Sequence, residues 1–342
     1  MGFCPVYSVD RRRRTGETDN VMLIGIAKMA AESELLEAKR QVDYRQLEAR
    51  SYISRNSGLR MPFEWTINPY RGCEIACRYC YARYTHEFME LDPGIDFETK
   101  IFAKEWNEVG FRRELRIIPR HEVIAIGTAT DPYQPAERRF EVTRKMLQVF
   151  KSERGRRFGL ITKSDLITRD VELLKAIAEH NSMHVTLTIT TTDEALARSV
   201  EPRAPRPELR FAALRKLADA GLQPGISIAP LLPLINDSEA SIDAVARSAK
   251  QAGAVSLTAG LLFLKPTTRS VFFPWLDANY PSLAARYRER FAASDFLRGD
   301  YVRHVNARVK AIRKRYDLTE DPRMLRHGDD DPQLNLFSAG AI

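Results

Sequence analysis

Cysteine is scarce in this sequence, with four in 342 residues, and three of the four lie within the stretch RGCEIACRYCYAR, residues 71–83. Small secreted proteins that depend on disulfides carry many cysteines for their length, arranged for pairing. This chain lacks that pattern, so a disulfide scaffold is excluded and the sequence predicts a cytoplasmic protein. The three clustered cysteines need a different explanation.

Long hydrophobic runs are also absent. The run Val21–Ala27 is short and follows Glu17 and Asp19 without a recognisable cleavage site, which argues against a secretory signal. No other stretch approaches the roughly 18 apolar residues of a membrane helix. We therefore predict a soluble protein without a membrane partner, and we interpret Val21–Ala27 as the start of a helix.

Neither sign of charge dominates the sequence. The chain has 53 Lys and Arg residues against 45 Asp and Glu residues, which gives a net charge of +8. Such an excess permits a polyanionic partner, DNA or RNA, without requiring one. The compact basic run Arg11–Arg14 lies in a polar leading segment and is either part of a solvated tail or a contact to phosphates.

From Phe63 onward, short β-rich runs alternate with longer amphipathic stretches, a pattern typical of βα units around a parallel sheet. We predict an α/β fold, a partial (βα)6 barrel of the TIM type, with an open doubly wound sheet as the alternative. No Gly-x-Gly-x-x-Gly follows a strand, which argues against a dinucleotide site. The predicted strands are Glu64–Asn68, Val123–Gly127, Phe158–Thr162, His184–Thr190, Pro224–Ala229 and Val255–Phe263, and the predicted helices are Glu137–Lys151, Leu166–His180, Glu208–Ala220 and Ser238–Ala252.

Composition divides the chain into five parts. The core is predicted at residues 61–266. It is preceded by a disordered tail (1–20) and a helical appendage (21–60), and followed by a helical extension (267–316) and a polar tail (317–342).

Polar residues follow the predicted strands at their carboxyl ends, where parallel α/β folds place their chemistry. We therefore expect them to converge on one mouth. The cysteine stretch follows the first strand, Thr128, Thr130 and Asp131 the second, Lys163 and Ser164 the third, Thr190–Asp193 the fourth, Pro230–Pro233 the fifth and Lys265 the sixth.

Cys73, Cys77 and Cys80 have the spacing that lets three thiolates of one short loop reach a single small inorganic group, and Gly72 gives the turn its freedom. Iron-sulfur clusters and structural zinc ions ordinarily take four protein ligands. A site that is one ligand short leaves a metal that can bind another molecule, which indicates chemistry.

Other interpretations of the three cysteines stay open at this point. Cys4 is a candidate fourth ligand, although it lies far away in the leading tail. His86 would instead complete a Cys3His zinc site. The thiols could also be three free structural cysteines.

The C-x3-C-x2-C spacing, with Tyr79 before the last cysteine, resembles the signature of the radical S-adenosylmethionine (SAM) enzymes. Further stretches resemble blocks of the spore photoproduct lyase-like branch of that superfamily, and the likeness covers about Phe63 to Phe263. These stretches are INPYRGCEIACRYCYAR, GTATDPYQPAERR, ITKSDLITRD and VEPRAPRPELRFAALRKLADAG.

The resemblance implies a [4Fe-4S] cluster held by the three cysteines, with its fourth iron bound by the amine and carboxylate of SAM. Reduction of the cluster would cleave SAM to methionine and a 5′-deoxyadenosyl radical, which abstracts hydrogen from a substrate. It also implies an electron donor of the flavodoxin or ferredoxin type. The cofactors supply this chemistry, and the protein supplies orientation and exclusion of water.

The same resemblance suggests SAM-binding residues. Lys163 corresponds to the family's lysine for the SAM carboxylate. Thr128 and Thr130 are candidates for the SAM amino group, and Asp131 either joins them or caps the turn before Pro132.

Two strand threonines and two tyrosines complete the predicted site. Thr188 and Thr190 share one strand face, where they either contact the SAM ribose or carboxylate or belong to the core. Tyr79 is expected against the adenine and Tyr81 beside the cluster, with packing as the alternative for each.

Other residues of interest are less defined. Glu201 and Arg203 either pair with each other or contact SAM. A group of aromatic residues near the far side of the mouth is interpreted as core packing; it consists of Phe272, Phe273, Trp275 and Tyr280.

One departure from the lyases bears on the reaction. Where the authentic lyases have the cysteine that returns hydrogen to the product radical, this chain has Thr128, whose O–H bond is too strong for that role. Tyr79 and Tyr81 match the lyases' tyrosines associated with hydrogen transfer. The sequence therefore predicts a relative of the lyase rather than the lyase itself.

Three functions remain open. The first is a radical SAM enzyme that repairs or modifies a nucleic acid. The second is a radical SAM enzyme with a peptide or small-molecule substrate, because fold does not fix function. The third is a non-enzymatic zinc or iron-sulfur module that binds nucleic acid.

Overall fold

The computed structural model describes residues 23–39, 42–56 and 61–320. The predictions for the leading tail, Arg11–Arg14, Cys4 and most of the polar tail lie outside these residues. The strands are β1 (Leu35–Lys39), β2 (Val42–Leu47), β3 (Ile53–Arg55), β4 (Trp65–Ile67), β5 (Tyr70–Arg71), β6 (Lys100–Lys104), β7 (Val123–Ile126), β8 (Arg157–Thr162), β9 (Ser182–Thr188), β10 (Gly225–Leu231) and β11 (Ser256–Leu261).

Helices alternate with these strands and then follow them. They are α1 (Gly25–Ala31), α2 (Tyr84–Glu87), α3 (Asp96–Thr99), α4 (Glu108–Ile117), α5 (Glu137–Phe140), α6 (Val142–Ser152), α7 (Val171–Ala178), α8 (Glu194–Val200), α9 (Pro207–Asp219), α10 (Glu239–Gln251), α11 (Pro266–Asn279), α12 (Pro281–Arg290) and α13 (Asp300–Arg315), with 3-10 turns at Tyr81–Arg83 and Asp165–Asp170. None of the helices in the described ranges is long and apolar enough to cross a bilayer.

The main sheet has seven strands in the order β3-β4-β7-β8-β9-β10-β11. The six from β4 to β11 are parallel, and β3 pairs antiparallel at the edge. Among the described residues β4 and β11 do not pair, so the sheet forms part of a barrel. All four residues of β7 are buried, as expected for a parallel sheet covered on both faces. The predicted partial barrel is confirmed.

A second, four-stranded sheet corrects the prediction of a helical appendage over residues 21–60. Its order is β1-β2-β6-β5, and α1 is the one helix in the described part of residues 21–60. Val42, Tyr44 and Leu47 are buried while Asp43 and Arg45 are partly exposed, so β2 has an approximately two-residue period that suits a strand. Because β2 pairs in parallel with β6, the segment belongs to the body of the protein.

The predicted helix Glu137–Lys151 is also divided in the structure. Glu141 adopts a left-handed conformation with φ +51° between α5 and α6. The buried Glu137 carboxylate accepts the Thr143 and Arg144 N–H groups at 2.9 and 3.1 Å, so it caps the start of α6. Glu137 thus begins α5 and also caps α6.

Candidate functional site

A cavity of about 190 Å³ opens at the carboxyl ends of the parallel strands. Its polar wall carries the three clustered cysteines, residues 128–131 after β7 and Lys163 after β8. The other wall is apolar and includes Met61, Phe63 and residues 261–263. The predicted convergence of the strand-end residues therefore holds for most of them.

The loop between β5 and α2 places the three thiols on this cavity. Gly72 begins it at φ +78°, where a Cβ atom would lie 2.8 Å from the Lys100 carbonyl oxygen, so only glycine fits without a shift. The Cys73 N–H donates to the Phe97 carbonyl at 2.9 Å, and the Cys80 N–H to the Cys77 carbonyl at 3.2 Å. The loop thus folds back between the two sheets with its sulfurs facing inward.

Gln134 and Thr130 brace this loop. The Thr130 hydroxyl donates to the Gly72 carbonyl at 2.6 Å and accepts from the Gln134 amide at 2.9 Å. The amide oxygen of Gln134 in turn accepts the Glu74 N–H at 2.9 Å. Thr130 lines the cavity, but its proton is already engaged by the cysteine loop, so its geometry supports a positioning role.

Burial sets the charge state of the thiols. It raises the pKa of Cys77 to about 12 and raises those of Cys73 and Cys80 as well; the nearby Asp131 adds to the effect on Cys73. Iron or zinc binds thiolates, so a metal would displace these protons on binding. The thiols are free cysteines, with those of Cys73 and Cys77 buried.

Lys163 projects over the Tyr79 ring, with its ammonium 5.6 Å from the ring centre. Burial disfavours its charge, but Cys77, Glu201 and Asp131 outweigh burial and raise its pKa above the ordinary value. Among the described residues the ammonium has no hydrogen-bond or ion-pair acceptor. Lys163 is therefore a cation that faces the cavity without a partner.

Asp131 fixes the backbone that carries this lysine. Its carboxylate accepts the Lys163 N–H at 2.7 Å, the Thr162 hydroxyl at 2.6 Å and the Tyr133 N–H at 2.9 Å. Burial raises the pKa of Asp131, and these hydrogen bonds offset part of that rise. Asp131 thus joins the loops after β7 and β8 and caps its own turn.

A buried network stands behind Tyr79. Its hydroxyl donates to Glu201 Oε1, and Glu201 Oε2 lies 2.6 Å from Arg210 Nη2. Burial opposes the charge of Glu201, but Arg210 and Lys163 prevail and lower its pKa. The predicted alternative of a Glu201–Arg203 pair is wrong, since Arg203 is exposed and donates to the Glu98 carbonyl.

Tyr81 and Thr128 lie together at the mouth. The Tyr81 hydroxyl donates to the Thr128 carbonyl, and the Tyr81 ring lies 5.1 Å from Phe263. The Thr128 hydroxyl accepts from the Asn68 amide at 3.2 Å. Burial raises the pKa of Tyr81, so its phenol stays protonated.

The two predicted strand threonines differ. Thr188 lines the cavity, whereas Thr190 lies behind it and donates to Glu201 Oε1 at 3.3 Å. Sequence reasoning missed Ser227 of β10, which lines the cavity in the register position paired with Thr188. In the sequence, Ser227 is marked only as a small polar residue within the otherwise apolar strand β10. Sequence reasoning also missed Asn68, Gln134 and Arg210.

One predicted strand-end residue, Lys265, and the predicted aromatic group lie outside the cavity lining. The Lys265 ammonium lies over the Tyr84 ring at 4.2 Å and is outside the cavity lining. Phe272 and Trp275 pack at 5.2 Å in the core, as expected.

The donor set tests which metal group fits. Zinc ligands lie about 2.3 Å from the ion, so three thiols on one zinc lie within about 4 Å of one another. In the described ranges no three His, Cys, Asp or Glu side chains are arranged around one ion. His86 packs on Phe97 and its Nε2 lies 3.2 Å from the Lys100 carbonyl oxygen. All three thiols line one cavity, and iron-sulfur clusters are held by cysteine thiolates, so these residues would hold such a cluster.

Comparison with known proteins agrees with this arrangement. The sequence profile of the Radical SAM superfamily matches residues 67–245, more than half of the chain. An uncharacterized protein of Mycobacterium tuberculosis (strain H37Rv) is 36% identical over 264 residues, 77% of each chain. An uncharacterized protein of Methanocaldococcus jannaschii is 29% identical over 180 residues, 52% of this chain and 63% of the other.

Among solved structures, spore photoproduct lyase complexed with dinucleoside spore photoproduct has a similar fold. The TM-score is 0.60 at 16% identity, over 80% of this chain and 79% of that one. At this identity the likeness concerns the fold alone.

Proposed function

This chain belongs to the Radical SAM superfamily, and on that premise we propose that it cleaves SAM reductively at a [4Fe-4S] cluster and abstracts hydrogen from a nucleic acid. The observation that carries the proposal is that Cys73, Cys77 and Cys80 line one cavity with Lys163. When bound, the cluster supplies the electron that converts SAM to methionine and a 5′-deoxyadenosyl radical.

In this proposal the chain's own residues divide the work of holding the cofactors. Cys73, Cys77 and Cys80 would hold the cluster as thiolates, after losing their protons. Lys163 pairs with the SAM carboxylate, a role supported by its lack of another acceptor among the described residues. Asp131 keeps the lysine's backbone in place through the 2.7 Å bond to its N–H.

The hydroxyl groups play a smaller part. Thr188 and Ser227 donate to SAM from the cavity wall, and Thr128 borders it, with its hydroxyl shared with Asn68. Thr130 and Thr190 act from behind by holding the cysteine loop and Glu201, respectively.

The two tyrosines have different roles. Tyr79, fixed by Glu201, forms a flat surface for the adenine. Tyr81 lies at the mouth with Thr128 and is the nearer candidate for contact with the reacting substrate. Apart from the three clustered thiols, no cysteine lines the cavity among the described residues. Hydrogen return through a fourth cysteine is therefore not part of the proposal.

A nucleic acid is the substrate class that we propose. The net charge of +8 permits a polyanionic substrate. The apolar wall with Met61, Phe63 and Phe263 is suited to the face of a base that has left its stack.

The test is anaerobic reconstitution followed by incubation with SAM and dithionite. We expect about four iron and four sulfide per chain and release of 5′-deoxyadenosine. Zinc without 5′-deoxyadenosine would refute the enzyme and favour a binding module. DNA or RNA affinity that falls steeply with salt supports the substrate class; no such binding would favour a peptide or small molecule.

A further inference from the structure

Three arginines gather around Glu98 beside the cysteine loop, two at its carboxylate and one at its backbone carbonyl. Glu98 Oε2 lies 3.0 Å from Arg83 Nη2, and Glu98 Oε1 lies 4.0 Å from Arg78 Nη1. Arg203 Nη1 donates to the Glu98 backbone carbonyl at 3.1 Å. Three positive charges therefore face one negative charge.

The balance leaves the outward side positive. The Arg83 side chain is fully buried and neutralises Glu98, whose own side chain is 16% exposed. Arg78 is 33% exposed, and Arg203 is exposed. Next to the loop, the Arg78 and Arg203 guanidinium groups are therefore more exposed to solvent than the Glu98 carboxylate is.

Both arginines are attached directly to the loop that carries the thiols. Arg78 follows Cys77 in sequence and is the only residue between 72 and 79 that is not buried. The Arg203 N–H donates to the Ile75 carbonyl at 3.4 Å. Arg83 Nη2 also donates to the Cys77 carbonyl, at 3.0 Å.

We propose that Arg78 and Arg203 form the docking surface for a small acidic one-electron carrier protein. The proposal rests on the proposed function, because only a redox cluster needs such a partner. The carrier loses one electron and the cluster gains it, and no bond forms or breaks in this step. Because Arg78 is the neighbour of Cys77 in sequence and the Arg203 N–H is bonded to the same loop, a carrier held by these two side chains would lie beside the cysteine ligands.

The chemistry fits a transient partner. Redox encounters use small interfaces, and complementary charge mainly raises their association rate and sets their salt dependence. Two guanidinium groups on a short loop suit carboxylates of a flavodoxin surface.

The test measures flavodoxin in two assays with the reconstituted protein. The variant is Arg78→Glu with Arg203→Glu, and the matched control is Arg303→Glu with Lys310→Glu, which makes the same change in net charge on exposed residues of α13. At low salt we expect the first pair to weaken flavodoxin binding about tenfold or more and the control by less than about twofold.

SAM cleavage separates the two proposals. With reduced flavodoxin as donor the first pair should lose most of its rate, whereas with dithionite it should match the wild type. If the charge reversal affects folding, the milder pair Arg78→Gln with Arg203→Gln should still lose rate with flavodoxin and keep it with dithionite. The docking surface would be overturned if the variant and the control bound flavodoxin equally well. It would also be overturned if the variant lost affinity for DNA while its flavodoxin binding stayed unchanged. No cleavage by the wild type with dithionite would refute the proposed function itself.

Discussion

Strand β8 carries a cationic side chain at each end, and the two differ in how they are satisfied. Arg156 at the amino end is 2% exposed, and its guanidinium donates to the Leu115 and Ile118 carbonyls at 2.6 Å and to Glu153 at 3.0 Å. Lys163 at the carboxyl end has no such acceptor among the described residues. The chain itself satisfies the cation at the amino end, and in our proposal SAM satisfies the cation at the carboxyl end.

Burial alone does not produce this difference. Arg210 also belongs to the carboxyl end and is nearly fully buried, yet it pairs with Glu201 and donates to the Thr188 carbonyl at 3.1 Å. Among the described residues, the buried cations Arg156 and Arg210 are therefore paired by the chain itself, whereas the Lys163 ammonium has no hydrogen-bond or ion-pair acceptor. The predictions below test this division.

The largest effect is expected at the cysteine loop. Cys77→Ala removes one of three cluster ligands, so iron content and SAM cleavage should be lost while circular dichroism stays native, because the loop lies beside the strands of the main sheet. Cys4→Ala is the control and should keep its iron. Full activity of Cys77→Ala, or loss of iron in the control, would contradict the assignment.

The next effect is on stability. Arg210→Met leaves the Glu201 carboxylate buried without its partner, which should lower the free energy of unfolding by about 3–5 kcal/mol. Urea unfolding of the apo protein measures it. A loss below about 1 kcal/mol would show that the network behind Tyr79 is not a charged pair.

The two ends of β8 can be compared directly. Lys163→Met should weaken SAM binding about 10- to 100-fold, measured by calorimetry on the reconstituted protein. It should lower stability less than Arg156→Met does, because the ammonium makes no hydrogen bond or ion pair among the described residues. Arg156→Met should leave SAM affinity unchanged and lower stability more, because the Ile118 carbonyl loses its guanidinium donor and the Leu115 carbonyl keeps only the Ile118 N–H. A buried unpaired carbonyl costs about 1–3 kcal/mol. Unchanged SAM affinity in Lys163→Met would show that the open cation has another purpose.

The smallest effect concerns His86, which sequence reasoning offered as a zinc ligand. Burial lowers the pKa of His86 to about 4 from 6.5, with the Lys100 carbonyl opposing the shift. The unfolded chain therefore binds the proton first, and stability falls as pH drops from 6.5 toward 4, by about 1 kcal/mol between pH 7 and 5.5.

His86→Gln should reduce that slope, measured as the change in urea midpoint between the two pH values, and should leave metal content unchanged. His304→Gln, at an exposed position, should keep the slope. Loss of bound metal in His86→Gln would reopen the zinc interpretation.

The sequence predicted the parallel sheet well because buried parallel strands are short apolar runs, and it located the mouth because strand ends carry polar residues. It failed for residues 35–47, where a helix-favouring composition was read as a helix although Val42, Tyr44 and Leu47 follow a strand period. Gln134 and Arg210 lay outside its reach, since their roles depend on contacts with residues 60 and 9 positions away, Glu74 and Glu201.

The most direct test of the account is whether the anaerobically reconstituted protein forms 5′-deoxyadenosine from SAM under dithionite, with and without duplex DNA. The account predicts the nucleoside in both samples, and more of it with DNA. A chain that binds zinc and leaves SAM intact in both would contradict it.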